Sequence, residues 1–247
     1  DQLVDSVQRA AQLRYMGTLK RQAFDYIEAS ERGVSDRASI EAAFERALAS
    51  LWIAFQPIVH APTRAVYAYE ALMRTGEPEL PHPGAMLMAA TQLGRMTILS
   101  RTIRERVAEE ARLHPGPTLF VNLSPIELVD DFLYDPSAPL SKIASRVVLE
   151  VTERASLTEV PDIRRRIREL RNMGYRIAID DLGAGFAGLS SFAQLEPDVV
   201  KLDMALVRGV DVDKLRRKLI RAMVGLCREM DISIVCEGVE TPEEREA

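Results

Sequence analysis

Short apolar segments that end abruptly at a carboxylate, a carboxamide or a lysine recur six times along this chain. They are residues 65–69 before Glu70, 118–121 before Asn122, 146–149 before Glu150, 176–179 before Asp180 and Asp181, 199–200 before Lys201, and 233–236 before Glu237. One acid at the end of a strand is ordinary, and Glu70, Glu150 and Glu237 taken singly are each more readily a salt-bridged strand end. Six polar ends in succession indicate one shared site.

Amphipathic helical segments lie between the apolar segments. Apolar residues recur at helical spacing over residues 85–113, 160–173 and 213–230. Strands rich in Val, Ile, Leu and Ala alternate with such helices when helices cover both faces of a parallel sheet. The pattern therefore predicts an α/β fold, which is either an open doubly wound sheet or a closed barrel.

The distribution of the polar strand ends favours the barrel. An open sheet concentrates its ligand-binding residues in one or two loops, whereas a barrel brings the carboxyl ends of many strands around one mouth. We identify seven strands, near residues 53–59, 65–72, 118–123, 146–151, 176–181, 199–203 and 233–237. A TIM (β/α)8-type barrel needs eight, so the eighth strand is expected to be absent from this chain.

A helical region is predicted ahead of the barrel. Leu3, Val7, Ala10 and Leu13 follow helical periodicity, and a second helical stretch runs from residue 39 to residue 51. We therefore divide the chain into a connector or signalling region, residues 1–48, and a barrel domain, residues 49–247. The chain has no initiator Met, and a helix in this position leads us to expect an upstream sensory domain.

The composition narrows the class of partner. A net charge of −5 argues against a DNA or RNA polymer held by a broad basic surface, but it allows a small anionic ligand bound through metal ions. No apolar stretch approaches the roughly 20 residues of a membrane span, and no signal-peptide pattern opens the chain. Cys227 and Cys236 lack the spacing of a zinc or redox motif, so we expect two buried, reduced cysteines in a cytoplasmic protein.

The polar strand ends are suited to hard divalent cations. Their donors are oxygen atoms only, from Glu70, Asn122, Glu150, Asp180, Asp181 and Glu237. Such a set fits Mg²⁺ or Mn²⁺ better than zinc. Adjacent acids at 180 and 181 suit two ions about 3.5–4 Å apart, which can activate water for an in-line phosphoryl displacement. Lys201 could orient that water or offset charge in the transition state.

Short motifs accompany these residues in a fixed order. Glu70-Ala71-Leu72 precedes Arg74, and a glycine-rich loop, residues 183–188, follows the paired acids. The other motifs are Gln56-Pro57-Ile58, Val121-Asn122-Leu123-Ser124, Glu150-Val151-Thr152-Glu153, Lys201-Leu202-Asp203 and Glu237-Gly238-Val239-Glu240-Thr241. Over about residues 50–247 the series resembles the EAL domain family, the bacterial cyclic-di-GMP phosphodiesterases.

The resemblance implies a modified TIM barrel whose first strand is antiparallel to the others, and hydrolysis of cyclic-di-GMP to linear pGpG. It implies that Glu70, Asn122, Glu150 and Asp180 hold a first Mg²⁺ or Mn²⁺ ion. It assigns Asp180, Asp181 and Glu237 to a second ion, and it places Lys201 near the attacking water. The residues it assigns to catalysis are Lys201, Glu237, Glu70 and Asp180.

The resemblance also implies contacts outside the metal set. Gln56, Leu72 and Arg74 would contact the dinucleotide, the arginine by pairing with a phosphate. Glu153 would stabilise the loop at residues 183–191, which in this family couples the site to a dimer interface. We therefore expect a homodimer.

Three departures from the family pattern bear on the function. The glycine-rich loop has Leu182 and Ala184 where the family commonly has Phe and Thr, and Thr91 stands where an acid is usual. The chain also ends at Ala247, before the final helix, the eighth strand and a Gln-Gly motif. The alternatives are therefore a catalytically inactive receptor that binds cyclic-di-GMP and signals to a partner, and, less attractively, a structural module that dimerises through its N-terminal helix.

Overall fold

The computed structural model describes residues 37–152, 160–183 and 189–247 of the chain. The helices in these ranges are α1 (Arg37–Ala49), α2 (Pro83–Leu93), α3 (Met96–Leu113), α4 (Ile163–Asn172), α5 (Leu189–Leu195), α6 (Met204–Val207), α7 (Lys214–Glu229) and α8 (Pro242–Glu246). The strands are β1 (Trp52–Val59), β2 (Val66–Arg74), β3 (Thr118–Leu123), β4 (Val147–Thr152), β5 (Arg176–Leu182), β6 (Val199–Leu202) and β7 (Ser233–Cys236). Three short 3₁₀ helices follow β3, at Pro125–Val129, Asp131–Tyr134 and Ser141–Arg146.

The strands form one mixed sheet in the order in which they occur along the chain. β1 is antiparallel to β2, and every later neighbour pair is parallel. This arrangement confirms the prediction of a modified TIM barrel with an antiparallel first strand. Within the described ranges the sheet has seven strands, and β7 does not pair with β1.

Two apolar clusters lie on opposite faces of the sheet. The larger cluster lies between the sheet and the helices and includes Phe44, Leu149 and Ile177. The smaller one lies on the inner face and consists of Ala68, Phe120, Val148, Ala178 and Val199. Since successive side chains in a strand face opposite sides, apolar residues are needed at nearly every position. This requirement explains why the strands appear in the sequence as continuous apolar segments.

The first described helix packs against this framework. Phe44 on α1 is fully buried, together with Ala43 and Ala47. Arg46 on the same helix forms an ion pair with Glu77 after β2, with Nε 2.7 Å from Oε2. The predicted domain boundary between residues 48 and 49 stays a prediction. Most of the predicted connector, Glu153 and residues 184–188 lie outside the described residues.

The prediction of one helix over residues 85–113 is wrong in one respect, because this segment forms two helices. Gly94 adopts a left-handed conformation, with φ of 68°, and ends α2 before α3 begins at Met96. Glycine has no Cβ to oppose this conformation and is the usual residue at such a helix end. His82 caps the start of α2, where its Nδ1 accepts a hydrogen bond from the Ala85 amide at 3.1 Å.

The prediction of two buried cysteines is half right. Cys227 on α7 is buried, whereas Cys236 on β7 is exposed. The difference arises because β7 is the last strand of the described sheet and has no neighbouring strand on one side. None of the described helices has the length and apolar character that crossing a membrane requires.

Candidate active site

The polar strand ends form the layer of the barrel interior next to the inner apolar cluster. Each polar residue lies two positions after an inward-facing apolar residue, and two positions along a strand return a side chain to the same face. The pairs are Ala68 and Glu70, Phe120 and Asn122, Val148 and Glu150, Ala178 and Asp180, Val199 and Lys201, and Val235 and Glu237. The fold therefore directs all six strand ends into one space.

Lys201 lies at the centre of this layer. Its Nζ is 2.6 Å from Oε1 of Glu150, 2.7 Å from Oε1 of Glu237, 3.1 Å from Oδ1 of Asp180 and 3.3 Å from Oε2 of Glu70. The lysine is only 1% exposed, and Glu150 is fully buried. Four carboxylates from four strands thus surround one buried ammonium group, with Glu70 midway along β2 and the other three at or near the ends of β4, β5 and β7.

Asn122 and Asp181 lie at the edge of the carboxylate group. The Asn122 side chain is exposed, and its Nδ2 donates a hydrogen bond to Oε1 of Glu70 at 3.4 Å. Asp181 is half-buried, and one of its oxygens lies within 4.8 Å of oxygens of both Asp180 and Glu237. These three carboxylates are near enough to one another to share one cation.

A break in the strand pairing lets two adjacent acids reach the same site. The register of β5 against β6 shifts between Ile179 and Leu182, where β5 has one residue more than β6. Asp181, in this bulge, has a left-handed φ of 57°. In a regular strand adjacent side chains face opposite sides, and a bulge redirects one of them. The bulge therefore brings Asp181 to the face that carries Asp180.

The loop after β5 approaches α6 closely. Gly183 has a φ of 106°, and a Cβ there would lie 2.1 Å from Cδ1 of Leu206 on α6. Asp203, just before α6, accepts a hydrogen bond from the Ala205 amide at 2.7 Å and so caps this helix. A side chain at Gly183 would therefore require Leu206 to move and a backbone conformation that residues other than glycine rarely adopt.

Burial and mutual repulsion set the charge states of these groups. Burial raises the pKa of the Glu150 carboxyl well above its ordinary value, although the Lys201 ammonium acts in the opposite direction. The pKa of Glu237 is raised for the same reason, again against Lys201. Burial alone would lower the pKa of Lys201, but the four carboxylates together raise it above its ordinary value. Lys201 is therefore a permanent cation in the neutral pH range.

The donor set fits a hard divalent cation. Within the described residues, both carboxylate oxygens of Glu150 and Oδ1 of Asp180 have no hydrogen-bond partner. Glu150 Oε1 is near Lys201 Nζ, but the contact lacks hydrogen-bond geometry. Buried oxygens without donors are costly, and the Lys201 ammonium group offsets part of that cost for Glu150 Oε1 and Asp180 Oδ1, which lie 2.6 and 3.1 Å from its Nζ. Carboxylate and amide oxygens are also the ligands that Mg²⁺ and Mn²⁺ prefer, so a divalent cation fits the same donor set.

A cleft of about 950 Å³ opens beside the carboxylates, between β1 and β7. Gln56 lines it together with Glu70, Lys201 and Glu237. Leu72 and Arg74 are both half-buried and lie two and four residues beyond Glu70 on β2, on the same strand face by alternation. Arg74 donates a hydrogen bond from Nη1 to the Met73 carbonyl oxygen at 2.8 Å.

Comparisons with known proteins agree with this arrangement. The family model described as the EAL domain matches residues 38–247. The chain is 29% identical to the probable cyclic di-GMP phosphodiesterase PdeG of Escherichia coli over 201 residues. The matched stretch covers 77% of this chain and 40% of that protein. The chain is 28% identical to the E. coli oxygen sensor protein DosP over 230 residues, and this stretch covers 86% of this chain and 28% of that protein. The chain thus spans less than half the length of these curated relatives.

Solved structures extend the similarity to the fold. The calcium/cy-diGMP complex of BlrP1 from Klebsiella pneumoniae matches with a TM-score of 0.68 and 30% sequence identity, over 79% of this chain and 50% of that chain. A manganese/cy-diGMP complex of the same protein matches with the same TM-score and identity, over 79% of this chain and 51% of that chain. A family model that covers most of the chain and structures of the same fold lead to one conclusion: this chain belongs to the EAL domain family.

Proposed function

We propose that this chain is a metal-dependent phosphodiesterase that hydrolyses cyclic-di-GMP to linear pGpG. The observation that carries the proposal is the convergence of four carboxylates from four strands on one point, with Asn122 and Asp181 beside them. The name of the E. coli relative and the ligand in the Klebsiella structures support the choice of substrate.

The strand-end residues would hold two Mg²⁺ or Mn²⁺ ions. Glu70, Asn122, Glu150 and Asp180 would bind the first, and Asp180, Asp181 and Glu237 would bind the second. When bound, such ions lower the pKa of water and neutralise charge on a phosphodiester. The mutual approach of Asp180, Asp181 and Glu237 within 4.8 Å supports the second group.

The remaining site residues would orient the substrate. Lys201 would hold the attacking water or offset negative charge on the reacting phosphate, because an ammonium group donates up to three hydrogen bonds. Gln56 lines the cleft, and Leu72 and Arg74 share a strand face with Glu70. These three would contact the dinucleotide, with the Arg74 guanidinium on a phosphate.

Regulation would act through the loop after β5. In this proposal Glu153 stabilises residues 183–191, and the loop couples the site to a homodimer interface. The oxygen-sensor relative, of which this chain matches about a quarter, supports an upstream sensory domain joined through the N-terminal region. The close contact of Gly183 with Leu206 supports a constrained start to the loop.

A receptor that binds cyclic-di-GMP without hydrolysing it is the second candidate. The observation that favours it is the open edge of the described sheet, where β7 has no pairing with β1 beside the cleft. An incompletely enclosed substrate would be held less firmly in position for reaction.

One assay separates the two candidates. Purified protein is incubated with cyclic-di-GMP and Mg²⁺ or Mn²⁺, and the products are separated by chromatography. We expect pGpG with either ion and none in EDTA. Binding that persists in EDTA, with no pGpG after Mn²⁺ is restored to folded protein, would favour the receptor over the enzyme.

A further inference from the structure

The Lys201 ammonium group lies where a bound metal ion would be expected, among several carboxylates. Its four carboxylate neighbours lie at 2.6–3.3 Å and come from β2, β4, β5 and the end of β7. A lysine that only orients a water molecule needs one or two such contacts. Contacts with all four carboxylates mean that Lys201 offsets part of the negative charge of the whole group.

Three of these four neighbours are the proposed carboxylate ligands of the first ion, namely Glu70, Glu150 and Asp180. An Mg²⁺ ion requires its oxygen ligands at about 2.0–2.1 Å in near-octahedral geometry. The ammonium nitrogen therefore occupies the space between these oxygens, and an ion cannot bind at that point while the ammonium group remains there.

The two proposed ion positions differ in this respect. Among the described residues, Asp180, Asp181 and Glu237 form a group whose oxygens are mutually within 4.8 Å, and no such group is found for Glu70, Glu150 and Asp180. The oxygens of the first-ion set are separated by the lysine. Lys201 Nζ also lies 3.1 Å from Asp180 and 2.7 Å from Glu237 of the second set, whose oxygens are nonetheless close to one another, so only the first set is spread around the ammonium group.

We propose that Lys201 is a built-in occupant of the first ion position, which holds the carboxylates together in the metal-free protein and must give way when the ion binds. The inference rests on the proposed two-ion site. Four clustered carboxylates without a counter-charge would repel one another and destabilise the fold. The ammonium group reduces that repulsion, but it also competes with the metal ion for the same oxygens.

The proposal predicts opposite effects of one substitution on two measurements. In Lys201→Met the metal-free protein should be less stable than wild type, because the carboxylates lose their counter-charge. Its affinity for Mn²⁺ should be higher, because no ammonium group competes with the ion. If Lys201 served only to build the site, its substitution would instead lower both the stability and the affinity for Mn²⁺.

The experiment titrates wild type, Lys201→Met and Lys201→Gln with Mn²⁺ alone by calorimetry and records thermal unfolding in EDTA and in Mn²⁺. We expect the weaker Mn²⁺ binding step to tighten by about tenfold or more in both variants. We also expect a lower unfolding temperature in EDTA and a larger rise on adding Mn²⁺. Lys142→Met, at an exposed lysine, is the control and should change neither quantity.

Each other outcome has a distinct meaning. Equal or weaker Mn²⁺ binding by both variants, with Mn²⁺ binding intact in wild type, would overturn this inference and leave the proposed function standing. Absence of Mn²⁺ binding by wild type would overturn the two-ion site and the inference with it. A variant that folds only with Mn²⁺ would support the inference, since the ion then replaces the ammonium group. Variants that fail to fold even with Mn²⁺ would contradict it.

Discussion

The depth of each acidic residue within the site determines how far it contributes to stability as well as to the chemistry. Glu150 is fully buried beside Lys201, whereas the side chains of Glu70 and Glu237 are 18% and 28% exposed. Removing one member of a buried ion pair leaves an uncompensated charge and typically destabilises a protein by about 3–5 kcal/mol. A substitution at Glu150 would therefore change the stability as well as the chemistry. The residues nearer the mouth give the clearer test of function.

Replacing Glu70 or Asp180 by alanine should abolish turnover and leave the fold intact. Glu70 lies near the mouth of the barrel and Asp180 is buried below it, but neither belongs to the apolar clusters, so both contribute to the site more than to the apolar core. We expect the rate of pGpG formation to fall about a hundredfold or more in either variant. Circular dichroism should remain that of wild type.

Glu110→Ala is the matched control for these two variants. Glu110 is an exposed acid on α3, outside the strand-end layer. Its replacement should leave the rate unchanged. Wild-type rates in Glu70→Ala or Asp180→Ala would rule out the proposed metal ligands.

The sequence identifies the acids of the site but does not show how Asp180 and Asp181 share it. Alternation along a strand predicts that adjacent residues face opposite sides, so the pair alone is ambiguous. The extra residue in β5 removes the ambiguity, and it depends on the register against β6. The contacts of Lys201 with four strand ends likewise depend on the relative positions of β2, β4, β5 and the end of β7, which local patterns do not contain.

At the scale of elements, a buried ion-pair network connects α3 to the segment that follows β3. Arg104 on α3 contacts Glu127, and its Nη2 lies 2.7 Å from Oδ2 of Asp130. Glu127 Oε2 also accepts a hydrogen bond from the Ser124 amide at 2.8 Å, two residues after Asn122. The network therefore anchors the chain directly after one of the proposed metal ligands.

Arg104→Met should destabilise the protein by about 3–5 kcal/mol, because it removes the buried cation that Glu127 and Asp130 share. Urea-induced unfolding at neutral pH measures the change in free energy of unfolding. Arg106→Met on the same helix is the control, since its ion pair with Glu109 is exposed and should contribute less than about 1 kcal/mol. Equal losses in the two variants would contradict the importance of the network.

The same network predicts a specific dependence of stability on pH. Burial raises the pKa of Asp130, but hydrogen bonds from Arg101, the Phe132 amide and Arg104 outweigh burial and leave the pKa below its ordinary value. The stabilisation is therefore complete above the unfolded-state pKa of about 4 and is lost as the pH falls through the lower folded-state pKa.

Asp130→Asn tests this dependence. At pH 7 the variant should unfold about 1–3 kcal/mol more easily than wild type in urea, because the charged hydrogen bonds are lost. The difference between the two proteins should shrink as the pH falls below about 4. A difference that stays constant from pH 7 to pH 3 would show that the charge of Asp130 does not stabilise the fold.

Elements with a strong local pattern are predictable, and those fixed by single residues are less so. All seven predicted strands are confirmed, with ends within two residues of those observed, because buried parallel strands are continuous apolar segments. The break at Gly94 was not predicted, since one glycine interrupts an otherwise helical pattern. The 3₁₀ helices after β3 have no periodicity, although Ser124 and Glu127 form a capping box.

At the scale of the whole molecule, the site exists only because the sheet curves. Its six polar ends are distributed over residues 70–237, and residues 131 positions apart, Glu70 and Lys201, come into contact. Curvature of the sheet directs every second side chain of each strand toward one interior. The central claim is therefore that one two-ion site is assembled from the ends of six successive strands.

Crystals grown with Mn²⁺ test this claim most directly, through the anomalous scattering of the ion. We predict two anomalous peaks about 3.5–4 Å apart, one among Glu70, Asn122, Glu150 and Asp180 and the other among Asp180, Asp181 and Glu237. In that structure Lys201 should have moved away from the first peak. Well-ordered crystals at saturating Mn²⁺ with no anomalous peak at the strand ends, and with Lys201 still in contact with all four carboxylates, would contradict the account.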